Sequence, residues 1–401
     1  MLESRIISLL EDRLRQTGIP VSMTLWNGTV IRGAAAPHVQ LTVKSPAALM
    51  TLANPSLGGI AKAYVEGMID LDGDIRQTIR LGEGLVAGDA TTYGSRSSHW
   101  KWWRHSRPVD RKNIQHHYDV GNAFYDLWLD RNRVYSCAYY KRSDDTLDQA
   151  QEQKLDHICR KLDLKAGDHL LDVGCGWGGL IVWATQHYKV KSLGITLSDE
   201  QHAFATERIK ALGLQDQCEV RLLDYRDLDE SQCFDKIASI GMFEHVGRRN
   251  LGDYFGKIFR LLKPGGMVMN HGITTNSLDD AALGSGIGDF VEEYVFPGGE
   301  LVHLSRVLTE MSRQGLEPWD AECLRPHYAR TLWEWTARLE ARQQDARRIV
   351  GEKLYRTWRI YMAGSAHAFE RGWISIFQIL GARPLPDGSA LYPLTREHVY
   401  R

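Results

Sequence analysis

The chain has 401 residues, and its 49 Lys and Arg stand against 50 Asp and Glu for a formal net charge of −1. That length supplies two or three domains with buried cores, and 43% apolar against 25% charged residues exclude a disordered chain, a collagen-like repeat and a disulfide-stapled mini-protein. The charge balance also excludes a protein that coats nucleic acid through a global basic field. Tryptophan is over-represented, with 12 copies, and these rings belong either to core or to an interface.

Residues 1–93 open with the segment MLESRIISLLEDRLRQTG, where Ile6, Leu9, Leu10 and Leu14 fall on one face of a predicted helix. It lacks the basic start and continuous apolar stretch of a secretory leader, and no run approaches the 18 apolar residues of a membrane span, so a soluble protein is expected. In MTLWNGTVIRG, Asn27-Gly28 lies between alternating apolar positions and predicts a hairpin. A strand over 39–43 and a helical stretch through GGIAKAYVEGMIDLDGD follow. Residues 94–113, GSRSSHWKWWRHSRPVDRKN, carry six Lys or Arg, one Asp, and Trp100, Trp102 and Trp103, with weak periodicity; they read as a linker. From 114 to 401 strand-like and helical segments alternate, the pattern of an α/β protein with a mostly parallel, doubly wound sheet. The six cysteines (Cys137, Cys159, Cys175, Cys218, Cys233 and Cys323) form no C-x-x-C pair. Neither a zinc ribbon nor a redox pair is therefore expected, no metal site is assigned, and scattered thiols suit a reducing cytoplasm.

The most informative stretch is DHLLDVGCGWGGLI, 168–181. Leu170, Leu171 and Val173 form a short strand, and Gly174, Gly176, Gly178 and Gly179 follow at its carboxyl end, where a tight turn and close backbone approach let a ligand sit at the next helix. A dinucleotide is the obvious competitor. Against it, the spacing is G-x-G-x-G rather than G-x-G-x-x-G, and the second strand, KSLGITLSDEQ, ends without the acid expected for a ribose. Asp172 suits a cationic ligand portion better than a pyrophosphate. CFDKIASIGMFEHVG predicts a strand ending in Glu244, and LLKPGGMVMNHG a helix end, turn and strand. Order and lengths resemble an S-adenosylmethionine-dependent methyltransferase.

Upstream lies HHYDVGNAFYDLWLDRNRVYSCAYYKRSDDTLDQAQEQKLDHI, 116–158. With LLDVGCGWGGL, GITLSDEQ, SIGMFEHVG and EEYVFPGGE it resembles the cyclopropane fatty acid synthase family, which includes the mycolic acid cyclopropane synthases; the likeness is strong over about 116–383. AYVEGMIDLDGD is similar to the accessory domain of the phospholipid-acting members. The resemblance implies a Rossmann-like class I methyltransferase sheet with helical insertions covering the lipid, over 114–401, and a small N-terminal α+β domain, over 1–93, for lipid binding or dimerisation. It implies methyl transfer from S-adenosylmethionine to a cis double bond of a phospholipid acyl chain, with a carbocation that loses a proton to close a cyclopropane ring.

The resemblance also assigns residues. Cys137, Glu244, His271 and Tyr328 match positions that hold a bicarbonate ion as base, with backbone contacts near Gly241 and Ile273, and Tyr135 matches a tyrosine near the transferred methyl. For the methyl donor it gives Tyr135, Ser136, Gly174, Gly176, Gly178, Thr196, Leu197, Gln201, Tyr225 and Arg226, with Gln201 in the ribose role that an acid otherwise fills. Cys137 is expected to act more through its backbone than through its side chain, since buried thiols are most often inert, and no acyl-cysteine chemistry is expected. One departure is Ser365, where relatives usually carry cysteine. A carbocation route needs no nucleophilic thiol, so Ser365 reads as a tolerated or tuning change.

Such a substrate lies in a membrane. The 94–113 segment has a local charge of +5 and three Trp, and 325–383 carries 11 Lys or Arg against 5 Asp or Glu. Either could dock on anionic lipid, which would place the protein in the cytoplasm at the inner face of the membrane; the linker tryptophans could equally pack between domains. A homodimer would gain from bivalent attachment. Alternatives are a methyl- or methylene-branched product, or a lipid-binding relative with impaired catalysis. Nucleic acid is not an expected partner, since IGMFEHVG lacks the Asn/Asp-Pro-Pro-aromatic loop of amino methyltransferases.

Overall fold

The computed structural model describes residues 2–32, 36–86, 109–110, 120–279, 281, 283–389 and 391–400. The tryptophans of the basic segment, Trp100, Trp102 and Trp103, lie outside the described residues, as does the start of the 116–158 motif. The chain divides into two compact units: Met1–Ser98 with Ala281–Pro297 and Thr336–Trp373, and His99–Asp280 with Gly298–Trp335 and Ile374–Arg401. Among the described residues no helix is long and apolar enough to cross a membrane.

In the first unit, helix Leu2–Gln16 buries Leu10 and Leu14 fully but leaves Leu9 43% exposed. The apolar face is narrower than expected, because Leu9 sits about 100° around the helix from Leu10. Strands β1 (Val21–Thr24) and β2 (Val30–Arg32) form the predicted hairpin, with Met23 opposite Ile31. Strand β3 (Val39–Val43) runs parallel to β1. The helix expected through GGIAKAYVEGMIDLDGD is corrected. It stops at Val65, the chain turns at Gly67, and β4 (Ile69–Gly73) pairs antiparallel with β3. The reason is the period-two alternation of Ile69 and Leu71, both buried on the sheet face, which a helix would split between faces. The order is β2-β1-β3-β4. Helices Pro46–Ala53, Leu57–Val65 and Ile75–Leu85 start at Ser45, Ser56 and Asp74, whose side chains each accept a backbone N–H of the first turn.

The second unit is built on a seven-stranded sheet: β5 (His169–Val173), β6 (Lys191–Thr196), β7 (Cys218–Leu222), β8 (Phe234–Ile240), β9 (Leu262–Thr275), β10 (Glu317–Cys323) and β11 (Ile374–Ala382). Its order is β10-β11-β9-β8-β5-β6-β7. The strands from β9 to β7 pair in parallel, and β11 and β10 complete the sheet antiparallel. Alternation along β5 sends Leu171 and Val173 into a core with Ile195, Ile237 and Phe255 on one face, and Leu170 into a core with Ile158, Leu180 and Met269 on the other. The chain runs outward from β5 to β6 and β7, then returns to β8 on the other side. The carboxyl ends of β5 and β8 therefore splay into a crevice, where ligands bind in sheets of this kind.

Candidate active site

That crevice is a cleft lined by the ends of four parallel strands. Tyr135, Ser136, Gly174, Gly176, Thr196, Leu197, Gln201, Tyr225 and Arg226 all line it, as does Gly241. Gly176 has φ +55°, and a Cβ added there would meet nothing within 4 Å, so the backbone borders open space that a ligand can fill. Gly178 is not among the lining residues. It precedes helix Gly179–Tyr188, and a Cβ there would come within 3.2 Å of Ala205, so its smallness serves the packing of that helix against helix Asp199–Ala211.

The polar groups of the cleft are held in place from behind. Thr196 Oγ1 donates to Gln201 Oε1 at 2.8 Å and accepts the Ser198 N–H, which fixes the Gln201 carboxamide at a buried site. Arg226 is gripped by Asp224 through two hydrogen bonds of 2.9 and 2.6 Å and reaches Asp110 at 3.1 Å. The Tyr225 ring stands edge-on to Tyr254, and burial raises its pKa to about 12, so the phenol stays neutral. Two ionisable groups of the cleft are deeply buried. Asp172 has its pKa pushed up to about 7 by desolvation, and Lys154 has its own pushed down to about 8 by the same cause.

Glu244 lies beyond the end of β8. The strand stops at Ile240, and Glu244 sits in the short 3-10 turn Phe243–His245 rather than on the strand itself. Its Oε1 accepts the Ile273 N–H from β9 at 2.7 Å, while Oε2 is buried with no hydrogen-bond partner. Desolvation raises the carboxyl pKa to about 7. His271, two residues before Ile273, is buried with neither ring nitrogen bonded, and burial holds it neutral. The backbone N–H groups of Gly241 and Ile273 are already engaged, by the His271 carbonyl at 2.7 Å and by Glu244. Gly272 makes this approach possible, because a Cβ there would lie 2.1 Å from Phe243 Cε1 and 2.9 Å from Glu244 Oε1.

Cys137 and Tyr328 form a second pair. The carbonyl of Leu324 accepts the Tyr328 N–H at 3.0 Å and lies 3.8 Å from Cys137 Sγ. Burial raises the Cys137 pKa well above its usual value, so the side chain is a neutral thiol. Tyr135 and Tyr328 both meet Trp335, at ring separations of 5.2 and 6.0 Å. Tyr135 also meets Trp128 and Tyr125, and Tyr125 meets Trp177 at 4.8 Å. These rings form a continuous aromatic wall beside the cleft. Trp177 is fixed by donating to Asn122 at 2.6 Å. Sequence reading assigned no role to Trp128, Trp335, Asn122, Gly272 or Lys154; the tryptophan excess was the one available signal for the first two.

A glycine-floored cleft at the reversal point of this seven-stranded sheet, with a carboxamide on the helix after the second strand and a tyrosine–arginine pair after the third, defines a class I S-adenosylmethionine-dependent methyltransferase. The mycolic acid cyclopropane synthetase family model matches residues 105–379, and the chain belongs to that family. It is 46% identical over 400 residues to a probable fatty acid methyltransferase of Pseudomonas putida, covering 99% of this chain and 100% of that one. It is 31% identical over 374 residues to the cyclopropane-fatty-acyl-phospholipid synthase of Escherichia coli K12, covering 90% and 92%. Among solved structures, mycolic acid cyclopropane synthase CmaA1 complexed with SAH and CTAB superposes with a TM-score of 0.65 at 34% identity, over 68% of this chain and 98% of that one.

Proposed function

We propose that this protein transfers the methyl group of S-adenosylmethionine to a cis double bond in an acyl chain of a membrane phospholipid and closes a cyclopropane ring. The observation that carries the reading is Glu244: a buried carboxyl in the turn after β8 with one oxygen held by the Ile273 N–H and the other without a partner. An alkene is a weak nucleophile, so the site must hold it in line and exclude water. The donor supplies an electrophilic methyl group; Gly174 and Gly176 would admit its backbone-side edge, Gln201 its ribose, and Tyr225 with Arg226 its adenine. Tyr135 and Ser136 would border the sulfonium end, and Gly178 would support the turn from behind.

Attack by the alkene on the sulfonium methyl forms a new carbon–carbon bond as the sulfur–methyl bond breaks, releases S-adenosylhomocysteine and leaves a cation on the acyl chain. The Tyr135 ring, which lines the cleft, offers such a charge a π face, with Trp128 and Trp335 packed behind it. Loss of one proton from the added methyl then gives the ring methylene. By the resemblance, Cys137, Glu244, His271 and Tyr328 would hold bicarbonate, which would supply a base; the buried, unpartnered Glu244 Oε2 and His271 nitrogens support that reading. Glu244→Gln should lower product formation at least about 100-fold with S-adenosylhomocysteine binding unchanged; a rate like the wild type would remove Glu244 from the reaction.

A second outcome is loss of the proton elsewhere, which gives a methyl- or methylene-branched chain; the name of the Pseudomonas putida relative, a probable fatty acid methyltransferase, fits either product. Proton NMR of the lipid separates the two, since ring methylene protons resonate upfield of ordinary chain protons. We further propose peripheral contact with anionic membranes through the 94–113 segment. Several arginines of 325–383 are already engaged: Arg342 and Arg348 with Asp345, Arg347 with Glu352, Arg356 with Asp70, and Arg359 with Glu340. The linker is therefore the better candidate. Substituting Trp100, Trp102 and Trp103 by Ala should weaken cosedimentation with anionic vesicles; equal binding would exclude the linker.

A further inference from the structure

Strands β8, β9, β11 and β10 each place one residue in a single row across the sheet. Ile240 stands opposite His271, His271 opposite Gln378, and Gln378 opposite Glu322. Two positions along their strands, Met269 and Leu380 enter the core shared with Leu155 and Ile158 of helix Leu147–Lys161. Period-two alternation puts His271 and Gln378 on that same face. Two apolar stripes therefore end in polar side chains lying next to each other.

Both are buried, His271 to 1% exposure and Gln378 to 0%. Neither ring nitrogen of His271 and neither amide atom of Gln378 has a hydrogen-bond partner, so no direct bond joins them. Glu322, the other neighbour of Gln378, is already committed: its Oε2 lies 2.6 Å from Lys161 Nζ and 2.7 Å from His157 Nε2. Burial, then the charges of Lys154 and Lys161, keep the His271 ring neutral. A neutral imidazole has one donor and one acceptor, and if one faces the base site beside Glu244 the other has to be met inside the protein. Residues directly opposite in an antiparallel pair hold their Cβ atoms about 4.5–5.5 Å apart, and a carboxamide carries both a donor and an acceptor. A water that bonds to two such buried groups joins them without a direct contact.

We propose that Gln378 is a positioning residue of the reaction: through one buried water shared with His271, it holds the imidazole so that the other ring nitrogen is presented to the base site. This rests on His271 belonging to that site. Carboxamide and water can each donate or accept, so the bridge serves either tautomer, and what it fixes is the placement of the ring. A side chain of the same length without polar atoms fills the space but leaves the ring without that hold.

The test is a double-mutant cycle on wild type, Gln378→Met, His271→Leu and the pair, reading transfer of labelled methyl from S-adenosylmethionine to cis-unsaturated phospholipid vesicles. Gln378→Met should lower turnover about 10-fold on its own and less than about 2-fold in the His271→Leu background, because its effect passes through the ring. S-adenosylhomocysteine binding should be unchanged throughout, since neither residue lines the donor cleft. Equal fold-losses in both backgrounds, or a wild-type rate for Gln378→Met, would overturn the role of Gln378. Wild-type turnover in His271→Leu would instead overturn the placing of His271 in the base site. Should Gln378→Met lose S-adenosylhomocysteine binding and with it the fold, the wild-type protein decides. A nuclear Overhauser contact between a His271 ring proton and a long-lived buried water is expected there, and its absence would overturn the bridge.

Discussion

Glu244 carries opposite demands at the scale of a single residue. Desolvation raises its pKa from 4.5 to about 7. An acid whose folded pKa lies above its unfolded value lends stability that is full below pH 4.5 and lost as pH rises through 7. At pH 8 the ionised carboxylate costs the fold on the order of 3 kcal/mol relative to an unshifted acid. Glu244→Gln cannot ionise, so it should melt at a higher temperature than wild type at pH 8, with the difference vanishing by pH 4.5. A lower melting temperature at pH 8 would show that the carboxylate is stabilised in place. Turnover has the reverse dependence, because only the ionised form can accept a proton or orient a base, and it should fall as pH drops below about 7. Sequence pointed to this residue by resemblance. It could not show the open Oε2, which depends on a strand almost thirty positions away.

At the scale of elements, the site hangs on the meeting of the Phe243–His245 turn with β9. Gly272→Ala would put a methyl 2.1 Å from the Phe243 ring, which should cost about 1–3 kcal/mol of stability. It should also abolish turnover while leaving S-adenosylhomocysteine binding intact, since Gly272 does not line the cleft. Loss of both would mean that the turn also shapes the donor site. The glycine turn after β5 and the strands flanking it were legible because their chemistry is local: apolar run, glycines, helix. β4 was misread because AYVEGMIDLDGD begins as a helix and its strand character emerges only after Gly67. Lys154 gave no signal, since a lysine on a polar-rich helix looks solvated until the fold buries it. Trp128 and Trp335 were equally silent, more than 200 positions apart and joined only by packing at 5.5 Å.

At the scale of the molecule, the tryptophan excess has a definite use. Trp177 lines the cleft, and the buried Trp128 and Trp335 pack against Tyr135, which also lines it. The near-zero net charge conceals two basic stretches, and several arginines of the later one are engaged in ion pairs. The two compact units do not follow the chain in order, since 281–297 and 336–373 group with the N-terminal residues. Ser365, on helix Gln343–Glu370, belongs to that first unit and not to the one that holds Glu244 and His271.

The most direct measurement is proton and carbon NMR of lipid recovered after incubating the full chain with methyl-labelled S-adenosylmethionine and vesicles of cis-unsaturated phospholipid. The expected result is label in an upfield ring methylene of the acyl chain, with loss of the matching alkene signals. Label in a branched methyl or methylene group would contradict ring closure, and its absence from the lipid would contradict acyl methyl transfer altogether.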